Sequence, residues 1–180
     1  FVRLDAAAVQ ALNLVPSSRE GNQQYNLYGL LNRCKTSMGA RKLQQWIKQP
    51  LISLEAIQRR HDIVEIFTAD TSMLAEIRGT GLRGISDIER ITKKIQRGKA
   101  SLQDCVLMYA FTQKLPYISG YLGKYCGEVH KELLEEKFIK RISALGVVFQ
   151  RYMSLIEEVI DLASIDEGEY QINPDFDDVL

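Results

Sequence analysis

Residues 32–51 read NRCKTSMGARKLQQWIKQPL and predict one amphipathic helix. Thr36 can cap its start, because the side-chain hydroxyl can accept a hydrogen bond from a free amide of the first turn. Pro50 disfavours helical angles at Gln49, so the helix should end near Lys48. The apolar side of this helix consists of Ala40, Leu43, Trp46 and Ile47.

Two residues of this helix carry further structural predictions. Trp46 is the only tryptophan of the chain and lies in the middle of the apolar side. We therefore expect Trp46 to anchor the core rather than to bind a ligand. Glycine inside a helix costs roughly 1 kcal/mol relative to alanine. Because that cost is usually tolerated where chains come close, we expect another backbone to approach Gly39.

The same stretch resembles the motif that opens the core domain of MutS-family DNA mismatch-repair proteins. The residues that match this motif are Thr36, Gly39, Arg41, Leu43, Trp46, Pro50 and Leu51. Shorter runs that also resemble the family lie at residues 4–7, 11–14, 93–97 and 102–105. The resemblance covers residues 2–176, and Ser37 stands where the family usually has proline. Serine also suits the first helical position, so this difference changes little.

The resemblance implies that residues 1–180 form one helical core, or lever, domain of a longer mismatch-repair protein. The chain starts at Phe1 rather than Met, and we expect it to be a piece cut from that protein. In the family, other parts recognise mispairs, clamp DNA and hydrolyse ATP with Mg²⁺. The implied partners of the parent, in the nucleus, are mismatched duplex DNA and a second MutS homologue in a heterodimer. No catalytic, cofactor or metal site is expected in this chain itself.

The composition is that of a folded protein without a global sign of nucleic-acid binding. Hydrophobic residues make up 46% of the chain, and 23 Lys and Arg residues balance 23 Asp and Glu residues. A sequence-independent grip on nucleic acid requires clustered cations, which zero net charge does not indicate. No apolar run reaches the length of a membrane span, so no membrane partner is predicted. The three cysteines, which lack metal-like spacing and predict reduced thiols, are Cys34, Cys105 and Cys126.

Cap residues and apolar periodicity predict an all-α fold, an irregular multi-helix bundle with short extended pieces near the termini. Ser86 and Glu89 predict a capping box. The apolar run at residues 105–111 predicts a central helix, and Pro116 is expected to open a separate one. The other side chains predicted to cap helices are Asp5, Asn26, Thr36, Ser53, Asp70 and Ser101.

The C-terminal part of the chain predicts a long helical region. Residues 128–164 are helical in pattern, with an interruption expected near Lys137 or Gly146. The segment 147–163 has the longest apolar side, and we consider it the best candidate for an element that transmits motion between distant sites. Residues 170–172 are expected to form a short extended piece.

Three groups of residues resemble functional sites only superficially. The run GTGLRG at residues 79–84 matches Gly-x-Gly-x-x-Gly, but it follows a helix rather than a strand, so we expect a turn and no nucleotide site. His61 and His130 have no companion at metal-ligand spacing, and a core-edge position is expected for His61. The acidic residues between positions 166 and 178 lack the spacing of an EF-hand loop, so no calcium site is predicted.

The densest basic cluster lies on the helix predicted after Ser86. It consists of Lys93, Lys94, Arg97 and Lys99. One interpretation is a solvated helix face without a partner. The other is a contact with a DNA phosphate or with an acidic partner surface.

The residues leave three functions open once catalysis is set aside. The sequence has no recognisable nucleophile with its base, no metal-ligand spacing and no phosphate loop, so this chain is not predicted to be an enzyme. It can be the core domain that the resemblance implies, a self-standing helical adaptor for other proteins, or a small helical nucleic-acid binder. An adaptor would need a sizeable exposed apolar patch. A nucleic-acid binder would bind DNA in a salt-sensitive way through the basic cluster.

Overall fold

The computed structural model describes residues 1–16, 25–163, 170–174 and 176. Over these residues the chain is all-α, which confirms the predicted fold class. The piece predicted to be extended near the C-terminus forms one isolated antiparallel bridge, between Ile160 and Ile172. The acidic residues between positions 166 and 178, for which no calcium site is predicted, lie outside the described residues.

Most of the described residues belong to α-helices. They are α1 (Ala6–Ala11), α2 (Leu27–Leu31), α3 (Ser37–Lys48), α4 (Leu54–Ala69), α5 (Thr71–Glu76), α6 (Ile88–Gln96), α7 (Leu102–Gly123), α8 (Lys131–Leu134) and α9 (Lys140–Val159). Two π-helical turns, which are wider than an α-helical turn, extend this set. The first turn, Ile77–Gly81, follows α5, and the second, Glu135–Ile139, joins α8 to α9.

The predicted N-caps are confirmed at six helices. In each case a side-chain oxygen accepts a hydrogen bond from an amide of the first turn, as the free amides there require. Ser101 and Asp104 complete a capping box at the start of α7. The six capping side chains are Asp5, Asn26, Thr36, Ser53, Asp70 and Ser101.

The capping box predicted at Ser86 and Glu89 is wrong. The N-cap of α6 is Asp87, whose carboxylate accepts a hydrogen bond from the Arg90 amide at 3.3 Å. A carboxylate complements the positive end of the helix dipole better than a neutral hydroxyl does. Glu89 is not free to complete a box, because its carboxylate pairs with Arg41 instead.

The helix start predicted at Pro116 is also wrong, because Pro116 lies inside the 22-residue helix α7. Proline inside a helix removes one backbone hydrogen bond and costs about 3 kcal/mol. The residues on either side of it outweigh this cost, since Leu115 and Leu122 are each only 3% exposed. Tertiary packing, rather than local propensity, keeps α7 continuous.

Helix α7 runs through two hydrophobic clusters, which confirms its predicted central position. The first cluster joins α7 to α4, α5 and α8, and the second joins it to α9. The buried residues of the first cluster are Ile66, Met73, Ile77, Leu122, Tyr125 and Leu134. The buried residues of the second are Val106, Tyr109, Ile156 and Ile160.

The predicted interruption of the last helical region occurs at one of its two candidate positions. The π-helical turn Glu135–Ile139 includes Lys137, whereas Gly146 lies inside the uninterrupted helix α9. The predicted helical segment 147–163 is wrong at its end, because α9 stops at Val159. The backbone becomes extended at Ile160, which forms the antiparallel bridge with Ile172, and the helical hydrogen bonding ends there.

The glycine run at residues 79–84 makes a tight connection between helices. Gly81 is buried against α7, and a methyl group in its place would lie 3.3 Å from a side-chain carbon of Ile118. Gly84 has a φ of +69°, a conformation that other residues adopt only with strain. Close packing and backbone conformation therefore account for two of these glycines.

Candidate functional site

The seven motif residues lie on α3 and in the turn that follows it. None of them is buried: Trp46 is exposed, and the other six are half-buried. The neighbours of Gly39 are the Thr36 hydroxyl and the Cys34 side chain, which a methyl group at Gly39 would meet at 3.1 and 3.6 Å. The expected close approach of another backbone is therefore wrong, and Gly39 instead leaves room for the capping turn of its own helix.

Trp46 is not the core anchor that its place on the apolar side predicts. Its side chain is 41% exposed, and the guanidinium carbon of Arg60 lies 3.7 Å from its ring centre. The face of an aromatic ring attracts a cation through the ring quadrupole, and this attraction remains favourable when the contact is exposed to solvent. Trp46 therefore joins α3 to α4 by a cation–π contact at the edge of the molecule.

Arg41 is the motif residue with the most specific contacts. Its guanidinium donates to both carboxylate oxygens of Asp87, with Nη2 2.8 Å from Oδ1, and it also donates to Glu89. Ser37 adds a hydrogen bond from its hydroxyl to Asp87 Oδ2 at 3.1 Å. Two parallel bonds between a guanidinium and a carboxylate fix orientation as well as distance. The motif helix α3 is therefore fastened to the start of α6.

Charge assistance stabilises the ionised forms in this group. The hydrogen bond from Arg41 is the main reason that the pKa of the Asp87 carboxyl lies well below its usual range. The same bonds, first from Asp87 and then from Glu89, raise the pKa of the Arg41 guanidinium. The Asp87 side chain is only 17% exposed. Both groups are charged at neutral pH, and their pairing makes the charged form of Asp87 harder to protonate.

A second ion pair fastens the other end of α6. Lys94 Nζ donates to both carboxylate oxygens of Asp104, at 2.7 and 2.9 Å, and Asp104 belongs to the capping box of α7. The bond from Lys94 is the main reason that the pKa of Asp104 is lowered. Lys94, one of the residues predicted as a possible phosphate contact, thus has a partner within the chain while its side chain stays 52% exposed.

The other three residues of the basic cluster point into solvent. Lys93, Arg97 and Lys99 are all exposed, and no carboxylate of the described residues forms an ion pair with them. Gly98, with a φ of +63°, ends α6 and turns the chain between Arg97 and Lys99. All four cations of the predicted cluster are exposed, and they differ in that Lys94 forms an ion pair with Asp104.

Helices α7 and α9 are joined by polar contacts that the sequence did not reveal. The Tyr109 hydroxyl donates to Glu157 at 2.8 Å, and the Tyr152 hydroxyl donates to the Cys105 carbonyl at 2.8 Å. Burial raises the pKa of both tyrosines, and the neighbouring carboxylate of Glu157 adds to this effect at Tyr109. Tyrosine at an apolar helical position is a signal for such contacts, because its buried hydroxyl needs a partner.

Three further observations on the described residues concern metal binding, the two histidines and membrane insertion. No group of three or more His, Cys, Asp or Glu side chains there is arranged to hold a metal ion. His61 is exposed, so its predicted core-edge position is wrong. The Nε2 atom of His130 lies 3.5 Å from Oε2 of Glu65 and 3.8 Å from Oδ1 of Asp62. In the same part of the chain, none of the helices combines the length and apolar character of a membrane span.

A family model and several known proteins that resemble this chain all point to the same family. The family model described as MutS domain III matches residues 7–175. The chain is 41% identical over its full length to "DNA mismatch repair protein msh-2" of Neurospora crassa and 36% identical to "DNA mismatch repair protein MSH2" of Arabidopsis thaliana. It covers 19% of each of these relatives. A bacterial relative, "DNA mismatch repair protein MutS" of Streptococcus equi, is 30% identical over 180 residues. The chain therefore belongs to the MutS family, in which it corresponds to domain III and is most like the MSH2 proteins.

Proposed function

We propose that this chain is the core, or lever, domain of a nuclear DNA mismatch-repair protein. The domain links a DNA clamp to an ATPase domain elsewhere in the parent, and it has no catalytic activity of its own. The parent binds mismatched duplex DNA, uses ATP with Mg²⁺, and pairs with another MutS homologue. Support comes from the match to MutS domain III and from relatives whose names are those of DNA mismatch-repair proteins.

The observation that carries this proposal is the continuous helix α7. Its 22 residues cross both hydrophobic clusters, and α9 packs along it. Coupling between distant sites requires an element whose arrangement both sites can bias. Two long helices joined by an apolar cluster and by the Tyr109–Glu157 hydrogen bond can move as one body. They are therefore suited to carry a displacement from one end of the domain to the other.

The test is to soften α9 without removing its contacts to α7. Glu157 is unsuitable because it accepts the hydrogen bond from Tyr109. Ala144 and Arg151 are exposed on α9, and replacing each by glycine should weaken the helix by roughly 0.5–1 kcal/mol per site. In the full-length heterodimer we expect mismatch affinity and basal ATP hydrolysis to persist, while ATP-triggered release from the mismatch slows.

The matched control is Ala144→Ser with Arg151→Ala. These substitutions also alter both side chains but avoid the flexibility of glycine. Hydrogen exchange of the α9 amides must first show that the glycine variant is looser than the control. A loosened helix that still releases the mismatch at the normal rate would contradict the proposal, and the domain would then be a passive spacer.

The adaptor alternative has one observation in its favour. A groove of about 810 Å³ lies between α7 and α9, and part of its wall consists of Pro116, Tyr117, Val147 and Phe149. Tyr117 and Val147 are 68% and 69% exposed. In a core domain, other parts of the parent would cover this groove. Surface labelling of Tyr117 in the full-length protein distinguishes the two functions. Tyr117 would be protected in a core domain, whose groove is covered, and labelled in an adaptor, whose groove stays open.

A further inference from the structure

We infer that the outward face of α6 contacts the phosphate backbone of duplex DNA through Lys93, Arg97 and Lys99. The inference goes beyond the lever function, since it adds a binding surface to a domain proposed to act mechanically. It rests on the proposed function in one respect, because the choice of DNA as the polyanion follows from it. Lys94 is left out of the proposed contact because its ammonium group already pairs with Asp104.

The fold fixes the orientation of α6 about its own axis, and so determines which of its sides faces solvent. Arg41 binds the N-cap residue Asp87 at one end, and Lys94 binds Asp104 near the other. Between these two fastenings, Ile91 is only 4% exposed and faces the body. A helix that is held at both ends and along one side presents the opposite side to solvent. The outward position of Lys93 and Arg97 is therefore built into the structure.

The three cations have the spacing and the freedom that a phosphate backbone requires. Lys93 and Arg97 are four residues apart, so their Cβ atoms lie about 5–6 Å from each other on one face. Lys99 follows the turn at Gly98. Among the described residues, none of the three has a carboxylate partner that a phosphate would need to displace. The nearest acidic side chain on α6, that of Glu89, is engaged by Arg41.

The zero net charge of the chain conceals a strong separation of charge. All 23 Lys and Arg residues lie within positions 1–156, together with 14 of the 23 Asp and Glu residues, which leaves +9 there. Positions 157–180 hold the other nine acidic residues and no basic one, which leaves −9. Such asymmetry between parts of a sequence is typical of proteins that contact nucleic acid or carry an acidic tail. The part of the chain that contains α6 is therefore strongly cationic.

The chemistry of the face favours a phosphate backbone over a protein or the DNA bases. Helix α6 contains no aromatic residue. Tight protein interfaces are anchored by buried aromatic side chains, and single-stranded bases stack on such side chains. Exposed cations can neutralise phosphates, and contacts to phosphates carry no sequence information. The contact is therefore expected to be independent of DNA sequence and sensitive to salt.

The experiment measures binding of the full-length protein, without nucleotide, to a fluorescent duplex that has no mismatch. Fluorescence anisotropy gives the dissociation constant at several salt concentrations for wild type and for a Lys93→Gln, Arg97→Gln, Lys99→Gln variant. The slope of log affinity against log salt is negative, and each lost phosphate contact reduces its magnitude by about 0.9. We expect the magnitude of the slope to decrease by about 2 to 3, equally for duplexes of different sequence.

A matched variant removes the same charge elsewhere. Lys131→Gln, Lys140→Gln and Arg141→Gln change three exposed cations on α8 and α9. This variant should keep the wild-type slope. Acetylation of lysines in the wild-type protein supplies a local readout, in which duplex should protect Lys93 and Lys99. Circular dichroism should be unchanged in both variants, since all six side chains are exposed.

Three outcomes would overturn the inference. An unchanged slope in the α6 variant would exclude phosphate contact, and an equal loss in the control variant would reduce the effect to total charge. Protection of Lys93 and Lys99 by polyglutamate but not by duplex would assign the face to an acidic protein. Failure here is distinct from failure of the lever proposal, because that test reads the rate of ATP-triggered release rather than equilibrium binding without nucleotide.

Discussion

The N-terminal arm (α1–α3) and the helical body (α4–α9) are held together in different ways. No residue of the three arm helices is buried, whereas the body contains both hydrophobic clusters. The arm is fastened to the body by polar contacts. These are the Arg41–Asp87 and Arg41–Glu89 ion pairs, the Ser37–Asp87 hydrogen bond, the contact of Arg60 with Trp46, and the hydrogen bond from Arg78 to the Arg33 carbonyl.

This difference shows that an amphipathic pattern does not by itself ensure burial. Helix α3 has a clear apolar side, yet Trp46 at its centre is 41% exposed. Helix α7 is apolar almost all round and carries seven buried residues. Apolar contacts contain no charge that salt can screen or protons can neutralise, whereas ion pairs are weakened by both. The arm should therefore respond to solution conditions that leave the body unchanged.

The largest expected effect comes from comparing Ile66, a buried residue of the body, with Trp46, an exposed residue of the arm. Ile66 in α4 is fully buried, and Ile66→Ala should lower the free energy of opening of α4 by about 2–5 kcal/mol. Trp46→Ala should cost clearly less, because the exposed ring loses mainly its contact with Arg60. Native-state hydrogen exchange of the α4 amides measures both changes. A larger loss for Trp46→Ala would restore the interpretation of Trp46 as the core anchor.

The second prediction detaches the arm without harming the body. Arg41→Gln removes the ion pairs to Asp87 and Glu89. Exchange of the α3 amides should rise roughly tenfold, as expected when a charge-assisted bidentate contact is lost, while that of α7 stays unchanged. Arg59→Gln is the control, because Arg59 forms only an exposed pair with Glu55 within α4. Equal effects of the two variants would show that Arg41 does not fasten the arm.

The third prediction concerns acid. The pKa of Asp87 is lower in the folded protein than its ordinary value of about 3.9. Its contribution is therefore fully present above about pH 4 and is lost only as the pH falls through the lower folded value. Trp46 fluorescence should show the arm in place at pH 4, with detachment only in stronger acid. In Asp87→Asn this acid step should disappear. A step centred on the ordinary aspartate value would contradict the assignment.

The smallest expected effect lies inside the body. Tyr109→Phe removes the hydroxyl that donates to Glu157 and accepts from Gln113. A hydrogen bond contributes about 1 kcal/mol, so the α9 amides near Glu157 should exchange about fivefold faster, with no change in α3. Gln150→Ala, at an exposed position of the same helix, is the control. An effect that reaches the arm would show that arm and body are more strongly coupled than their contacts indicate.

Local chemistry in the sequence was enough to locate most helices. Capping side chains act within three residues, so Asp5, Thr36 and Ser101 could be assigned without knowledge of the fold. The all-α class follows from cap residues and apolar periodicity, and the central position of α7 follows from the apolar run at residues 105–111, because these patterns are also local. The motif at residues 36–51 was also sufficient to suggest the family, which the match to MutS domain III confirms.

The partners of each side chain depended on contacts between residues far apart in the sequence. Arg41 meets Asp87 across 46 positions, and Tyr109 meets Glu157 across 48. No local pattern encodes these pairs, because they arise where separate helices pack together. The same packing keeps Pro116 inside α7 and leaves Trp46 at the surface. Periodicity shows which side of a helix is apolar, but the neighbouring helices determine which part of that side is covered.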